Sequence, residues 1–253
     1  MATKLTPIQN KALQTAGVSA TAVNHDLIEA LLSAFKTLAD PDRAVQQQRY
    51  AKSALPFAGL GMPVLRKTCR DVFKAHAPKT QEQWLATTAC LWAGAQVREA
   101  RYASVELTAL PRFQKEWLDL NCIPLLEHMI RDGAWWDLVD ALATNHMGKL
   151  LRLESAAVTD LLGNWLQDED LWIRRTAILA QLKFKTATDL DLLHRAIQGF
   201  IHDSDFFARK AIGWALREYS KTDPRWVQEY VERYRAELAP LSIREALKII
   251  NKG

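Results

Sequence analysis

An internal repeat of about 35 residues in the second half of the chain limits the possible folds more than any other feature. The segment 167–182 (QDEDLWIRRTAILAQL) aligns with 202–217 (HDSDFFARKAIGWALR) at an offset of 35 residues, and 131–142 (RDGAWWDLVDAL) aligns with 167–178 at an offset of 36. Each unit reads as an acidic turn, an aromatic or apolar pair, and a helix. A repeat of this length built on helices is typical of folds whose units stack side by side.

The first half of the chain also reads as helices. Apolar residues recur at helical spacing in 25–39, and Asp40-Pro41 ends that run. Further helices are predicted over 42–53, 62–76 and 80–94, the last with a capping box of Thr80 and Gln83. Alternating strand patterns are essentially absent, so the fold class is all-α.

The repeat length lies near the tetratricopeptide and HEAT ranges, and the tetratricopeptide consensus positions are not evident. We therefore predict a right-handed α-solenoid of HEAT-like repeats with a concave, basic groove lined by one helix of each pair. Residues 1–253 are expected to form one domain, in which 1–24 is an N-terminal extension or helix without a recognisable motif.

Composition narrows the class of protein further. No apolar run reaches the ~18 residues of a membrane-spanning helix, and no secretory signal is visible, so we expect a cytoplasmic protein. Cys69, Cys90 and Cys122 form no CxxC pair, and the six histidines form no HExxH, so neither a disulfide framework nor a metal site is expected. Residues 209–253 hold ten Lys or Arg against six Asp or Glu, which accounts for the whole net charge of +4. This excess indicates either a solvated face or a surface for a polyanion such as DNA or RNA.

The aligned helices bring indoles and charged groups to one predicted surface. Residues three or four apart on a helix are neighbours on one face, and Arg beside Trp suits phosphate and stacking contacts with nucleic acid. The alternative for each Trp is core packing, which we expect for Trp84, Trp92, Trp117 and Trp165. The residues predicted to share the surface are Trp136, Asp140, Trp172, Arg174, Arg175, Lys210, Trp214 and Arg217.

Asp140 is the candidate catalytic group because a carboxylate among aromatic rings suits cleavage of a glycosidic bond. It can stabilise an oxocarbenium-like sugar and orient a water molecule. The alternative for Asp140 is a salt bridge to an Arg of the adjacent repeat, such as Arg175. Asp137 lies on a different helix face, so we assign Asp137 and Trp135 to turn and packing roles. Tyr50, beside Arg49 on a polar helix, is by its surroundings either a surface tyrosine or a site residue.

Several motifs together resemble those of the DNA alkylation repair glycosylases of the AlkD type, which are built of HEAT-like repeats. The resemblance is strongest from about 98 to 250, and RYAKSALPFAGLGMP resembles the family's entry segment in the first half of the chain. The motifs that carry it in the second half are WWDLVD, the W-x-x-R of LWIRRTAIL, FFARKAIGWALREY and ELAPLSIREALK.

The resemblance implies a base excision repair enzyme that hydrolyses the N-glycosidic bond of N3- or N7-alkylated purines in duplex DNA. It implies no metal or nucleotide cofactor and no pocket that takes up a flipped base, and we expect a monomer. Asp140 matches the catalytic carboxylate, while Trp136 and Trp214 match the indoles against the lesion nucleotide. Arg175 matches an Arg that contacts the DNA backbone, and Tyr50 matches a tyrosine at the groove. The alternative function is a helical-repeat scaffold that binds nucleic acid or protein without chemistry.

Overall fold

The computed structural model describes residues 4–252 and contains helices and connecting turns but no strand in that range. The predicted all-α class of HEAT-like α-solenoid is confirmed, whereas the concave groove stays a prediction. The chain divides into two compact units, of which the first ends at Met129 and the second begins at Ile130. The expectation of a single domain stays a prediction. No helix in the described range is long and apolar enough to cross a membrane.

The first unit is organised around a helix that is buried on every side. The helix α5 (Gln81–Ala93) buries each residue from Trp84 to Trp92, and the Trp84 indole donates to the carbonyl oxygen of Leu107 at 3.1 Å. An apolar helix buried all round is typical of the centre of a core. The helices of this unit are α1 (Pro7–Thr15), α2 (His25–Thr37), α3 (Pro41–Ala51), α4 (Met62–Ala75), α5, α6 (Arg98–Ala109), α7 (Pro111–Trp117) and the start of α8 (Ile123–Gly133).

The predicted core indoles are largely confirmed. Trp84 and Trp92 are fully buried in the first unit, and Trp165 is buried in the second. Trp117 is only half-buried, and its ring stacks on that of Phe113 with centroids 4.8 Å apart. The Thr80 cap forms as predicted, since its hydroxyl accepts from the Gln83 backbone at 3.1 Å. The Gln83 side chain instead accepts from the backbone of Lys79, so the reciprocal half of that capping box is absent.

The N-terminal segment, in which no motif was recognised, is an integral part of the first unit. Helix α1 carries a complete capping box between Thr6 and Gln9, and the Gln9 amide also donates to the carbonyl oxygen of Cys90 in α5 at 3.2 Å. Thr6 followed by Gln9 is a visible capping-box signal that the sequence reading passed over. Residues 1–3 lie outside the described range.

The second unit stacks the repeated helices. Helices α9 (Trp136–Leu142), α12 (Leu171–Leu179) and α14 (Phe206–Tyr219) start 35 residues apart, and α12 packs against both α9 and α14. The 36-residue offset expected between the first two is therefore corrected to 35. A π-helical turn at Ala143–Met147 follows α9. The remaining helices are α10 (Gly148–Leu153), α11 (Ser155–Trp165), α13 (Leu190–Phe200), α15 (Pro224–Arg233) and α16 (Pro240–Ala246).

The acidic turns of the repeat act as helix caps. In the turn before α12, Asp168 accepts from the backbone N–H of Asp170, which in turn accepts from the N–H of Trp172 at 2.7 Å. The turn before α14 repeats this arrangement with Asp203 and Asp205. Since a carboxylate satisfies donors that a helix start leaves unpaired, the recurring Asp-x-Asp fixes where each helix begins.

The same turns also connect successive repeats. Arg131 donates through both terminal nitrogens to the two carboxylate oxygens of Asp168, at 3.0 and 2.6 Å. Arg174 donates to Asp203 at 3.0 Å. Each acidic turn therefore caps the helix that follows it and also binds an Arg from an earlier helix of the second unit.

Gly213 permits the close approach of α14 to the last helix, α16. A Cβ atom at Gly213 would lie 2.5 Å from the Cβ of Glu245 and 2.9 Å from the carbonyl oxygen of Ser242. The Ser242 hydroxyl donates to the carbonyl oxygen of Arg209 at 2.9 Å, which helps to hold the two helices at this distance.

We expect Gly213→Ala to lower the free energy of unfolding by about 1–3 kcal/mol, because the added methyl group overpacks the α14–α16 contact. Gly163→Ala in α11 is the matched control, since a Cβ atom there meets nothing within 4 Å. The control should be neutral or stabilising by up to about 1 kcal/mol through helix propensity. Urea unfolding followed by circular dichroism measures both, and equal effects would contradict the close-approach explanation.

Candidate active site

The candidate site is built around the Asp140 carboxylate and the Arg175 guanidinium. Asp140 is the fifth residue of α9, and Arg175 is the fifth residue of α12. The Arg175 Nε donates to Asp140 Oδ1 at 2.7 Å, and its Nη2 donates to Oδ2 at 3.0 Å. Only 4% of the Arg175 side chain and 14% of that of Asp140 are exposed. The salt bridge considered as the alternative for Asp140 is therefore present.

Burial and pairing act in opposite directions on Asp140. Burial raises the pKa of the Asp140 carboxyl above its usual range, while the hydrogen bonds and charge of Arg175 act to lower it and the charge of Asp137 adds a smaller rise. The net direction is upward. Water therefore solvates the negative charge of Asp140 poorly, and the Arg175 guanidinium is its main source of stabilisation.

Arg175 also connects the helices on either side of α12. Its Nη1 donates to the carbonyl oxygen of Phe207 in α14 at 2.6 Å, while its other two donors hold Asp140 in α9. The side chain is buried and faces other protein groups in the described conformation. Its contact with the DNA backbone stays a prediction, and the geometry assigns it first to the positioning of Asp140.

Three aromatic rings fill the space between the starts of the repeated helices. Trp172 packs against both Trp135 and Phe207, with ring centroids 5.9 and 5.1 Å away, and Trp135 and Phe207 contact each other at 5.2 Å, so the three rings form a triangle. We expected Trp172 on the exposed surface, but only 9% of it is exposed, because it packs in this cluster. The packing role expected for Trp135 is confirmed. Phe206, which the sequence analysis did not single out, is 56% exposed and packs edge-on against Phe207.

Trp136 and Trp214 are both partly exposed. Trp136 is the first residue of α9 and lies one helical turn before Asp140, so the two share a helix face as predicted. Trp214 lies in α14, the helix whose Phe207 carbonyl is held by Arg175. Arg175 thus connects the helix of Trp136 and Asp140 to the helix of Trp214.

The two cations that flank Trp214 are tied to Glu245. Lys210 lies one turn before Trp214 and contacts the Glu245 carboxylate at 3.0 Å, and Arg217 lies one turn after it and donates to Glu245 at 2.7 Å. The Lys210 hydrogen bond is the main cause that lowers the pKa of Glu245. Glu245 was missed at the sequence level. The signal in the sequence is the spacing: Asp140, Arg175, Lys210 and Glu245 follow one another at intervals of 35 residues.

The remaining predicted DNA contacts are Arg174 and Tyr50. Arg174 is held by Asp203 and faces the Phe200 ring with its guanidinium carbon 5.2 Å from the centroid. Tyr50 belongs to α3 in the first unit, where its side chain is 76% exposed. Its DNA contact stays a prediction.

The described residues provide no alternative catalytic group of the cysteine or metal type. Cys69, Cys90 and Cys122 are free and buried, and burial raises the pKa of the last two thiols to about 11. Within residues 4–252, no group of three or more His, Cys, Asp or Glu could hold a metal ion. A cavity of about 310 Å³ lies where α12 and α14 end, and none of the predicted site residues lines it.

Comparison with known proteins agrees with this fold and with the motifs. The family described as DNA alkylation repair enzyme matches residues 31–250. Among solved structures, the chain is similar to a "Predicted DNA alkylation repair enzyme from Enterococcus faecalis", with a TM-score of 0.76 and 30% sequence identity over 85% of this chain and 98% of that chain. No curated protein matches the chain. The chain therefore belongs to the DNA alkylation repair enzyme family.

Removal of the buried guanidinium should destabilise the second unit. We expect Arg175→Ala to lower the free energy of unfolding by about 3 kcal/mol, because it leaves the Asp140 charge buried without its partner. Arg225→Ala removes an exposed pair with Glu229, whose side chains are 88% and 60% exposed, and is the control. The control should change stability by less than about 1 kcal/mol. Similar losses for the two variants in urea unfolding would contradict the buried-pair interpretation.

Proposed function

We propose that the protein is a DNA glycosylase that hydrolyses the N-glycosidic bond of N3- or N7-alkylated purines in duplex DNA, the first step of base excision repair. The observation that carries the proposal is the buried Asp140 carboxylate, oriented by Arg175 one turn after the partly exposed Trp136. Membership of the DNA alkylation repair enzyme family supports a substrate in alkylated DNA. The protein acts as a monomer without a metal or nucleotide cofactor.

Asp140 supplies the negative charge that the reaction needs. As the bond between C1′ of the sugar and the purine nitrogen breaks, the bonding electrons leave with the base and positive charge develops on the sugar. A fixed carboxylate in a site with little water stabilises that charge more strongly than a solvated one would. Arg175 occupies one acceptor position on each Asp140 oxygen, and the remaining lone pairs can orient and deprotonate the water that attacks C1′.

The aromatic and basic residues bind the substrate in this proposal. Trp136 and Trp214 contact the lesion nucleotide, since indole faces attract the cationic alkylated base. Lys210 and Arg217 use donors not engaged by Glu245 to contact phosphate. Arg174 and Tyr50 add further backbone contacts, and Arg175 acts by positioning Asp140. Trp172, which packs against Trp135 and Phe207, helps to hold the starts of the repeated helices together.

The second candidate is a scaffold that binds nucleic acid or protein without chemistry. The observation in its favour is the Asp140–Arg175 pair itself, which resembles the inter-repeat pair of Arg131 and Asp168. The two candidates share binding residues, and they differ in what Asp140 does.

The deciding experiment measures release of methylated purine from methylated duplex DNA by the wild type and Asp140→Asn. We expect the variant to bind DNA within about twofold of the wild type and to lose at least about 100-fold in rate, since it removes the charge that stabilises the transition state. Asp168→Asn is the matched control, because it breaks another bidentate inter-repeat pair away from Asp140. If the wild type releases no base, the glycosylase proposal fails; if Asp140→Asn remains fully active, only the role of Asp140 fails.

The pH dependence gives an independent test. Because the ionised Asp140 is the active form and burial raises its pKa, activity should fall as the pH drops through a value above the usual 3.8. Single-turnover base release, corrected for spontaneous depurination, measures this fall in activity, which is the acid limb of the pH profile. Asp137→Asn should keep the limb in place apart from a small downward shift, because the charge of Asp137 contributes only a minor part of the rise. An acid limb at or below 3.8 in the wild type would contradict the assignment.

A further inference from the structure

Glu99 in the first unit is a fully buried carboxylate outside the candidate site. It is the second residue of α6, and none of its surface is exposed. It accepts three backbone hydrogen bonds, from Ala58 at 2.8 Å, Gly59 at 2.9 Å and Leu60 at 3.1 Å. A charged acceptor with several backbone donors makes strong, well-oriented hydrogen bonds, so the Ala58–Leu60 connector is fixed to α6.

The same connector holds α3 through its carbonyl groups. The Ala58 carbonyl accepts from the Asp40 backbone at 2.8 Å, that of Gly59 from Arg43 at 3.4 Å, and that of Leu60 from Gln47 at 2.9 Å. Each of the three connector residues therefore donates to Glu99 and accepts from the start or the middle of α3. The approach is close, because a side chain at Gly59, whose φ is +91°, would clash with the Asp40 carbonyl.

Helix α3 needs this tether because it buries very little of its own surface. Ala51 is its one buried residue, and Val45 and Tyr50 are 59% and 76% exposed. Most helices in globular proteins are held by an apolar face against the core. The position of α3 instead depends on polar contacts with the connector.

The exposed end of α3 has the charge of a DNA-binding surface. Residues 46–52 (QQQRYAK) contain Arg49 and Lys52 and no carboxylate. Both cations are exposed, and Tyr50 lies between them. This charge is complementary to the phosphates of a duplex, and a tyrosine adds a stacking or hydrogen-bonding group.

We propose that Glu99 is a positioning residue for DNA binding, which fixes α3 through the Ala58–Leu60 connector so that Arg49, Tyr50 and Lys52 face the phosphate backbone of the duplex. The proposal rests on the proposed function for the identity of the ligand. It concerns binding rather than the chemical step, so the two can fail separately.

The test measures affinity for an unmodified duplex by fluorescence anisotropy over a range of salt concentrations. Glu99→Gln replaces one acceptor oxygen by an NH2 group, so at least one of the three backbone N–H groups loses its acceptor, and it removes the charge that strengthens the others. The connector should therefore be held less firmly. We expect about tenfold weaker binding at moderate salt and a salt slope reduced in magnitude by up to about 1.8, as for the loss of two phosphate contacts. Single-turnover base release at saturating DNA should stay within about twofold of the wild type.

Gln47→Ala is a second variant that tests the same proposal if Glu99→Gln unfolds the protein. It cuts the α3 contact with Leu60 without changing any charge and leaves Glu99 in place, so it should reduce the salt slope in the same direction. Glu106→Gln is the matched control, because Glu106 lies on the same helix and makes a surface pair with Arg66. The control should keep the slope of the wild type.

The double variant Arg49→Ala with Lys52→Ala removes the cations directly. It tests whether α3 binds DNA, independently of whether Glu99 positions it. An unchanged salt slope in this double variant would overturn α3 as a DNA surface. A reduced slope in the double variant, with wild-type binding in folded Glu99→Gln and in Gln47→Ala, would overturn the positioning role. A wild type that binds DNA through α3 but releases no base would leave this inference standing and sink the glycosylase proposal.

Discussion

The hydrogen bonds of Arg175 are the interaction on which the second unit most depends. One buried guanidinium holds both oxygens of Asp140 in α9 and the Phe207 carbonyl in α14, while its own helix packs between those two. A guanidinium presents its donors in a fixed plane, so it sets the relative positions of the groups that it binds. The separation of the helices that carry Trp136 and Trp214 therefore depends on the side chain that also orients the candidate catalytic carboxylate.

Three buried or half-buried carboxylates are stabilised in different ways, and the difference decides what each can do. Glu99 is held by backbone N–H groups that cannot move without the connector, which suits an anchor. Glu245 is held by two flexible cations, Lys210 and Arg217, which keep its pKa low and orient both side chains beside Trp214. Asp140 has a single cationic partner and a raised pKa, so its charge is less neutralised than that of Glu245.

The local signals in the sequence predicted most of the secondary structure. The repeat and the apolar spacing predicted the class of fold, because periodicity acts within one helix. The Asp-x-Asp segments were read only as acidic turns, and the structure shows that they cap the starts of α12 and α14. The offset to the first repeat was wrong by one residue. The turn before α9 has Ala134 in the left-handed region at φ +36° in place of the Asp-x-Asp cap, so the shared pattern there is weaker. With the correct offset, Asp140, Arg175 and Lys210 occupy equivalent positions.

By itself, the sequence determined that the chain is helical, that its second half repeats about every 35 residues, and that Trp136 and Asp140 share a helix face. These properties depend on residues close together in the chain. Only the tertiary structure decided that Trp172 packs against Trp135 and Phe207, that Arg175 is buried on Asp140, and that Glu99 holds the connector before α4. Helix geometry gives the neighbours of an Arg or a Trp three or four residues away on its own helix. The partner of that Arg or Trp in the next repeat depends on how the helices stack. That stacking is set by the summed packing of many apolar side chains and by close approaches such as the one at Gly213.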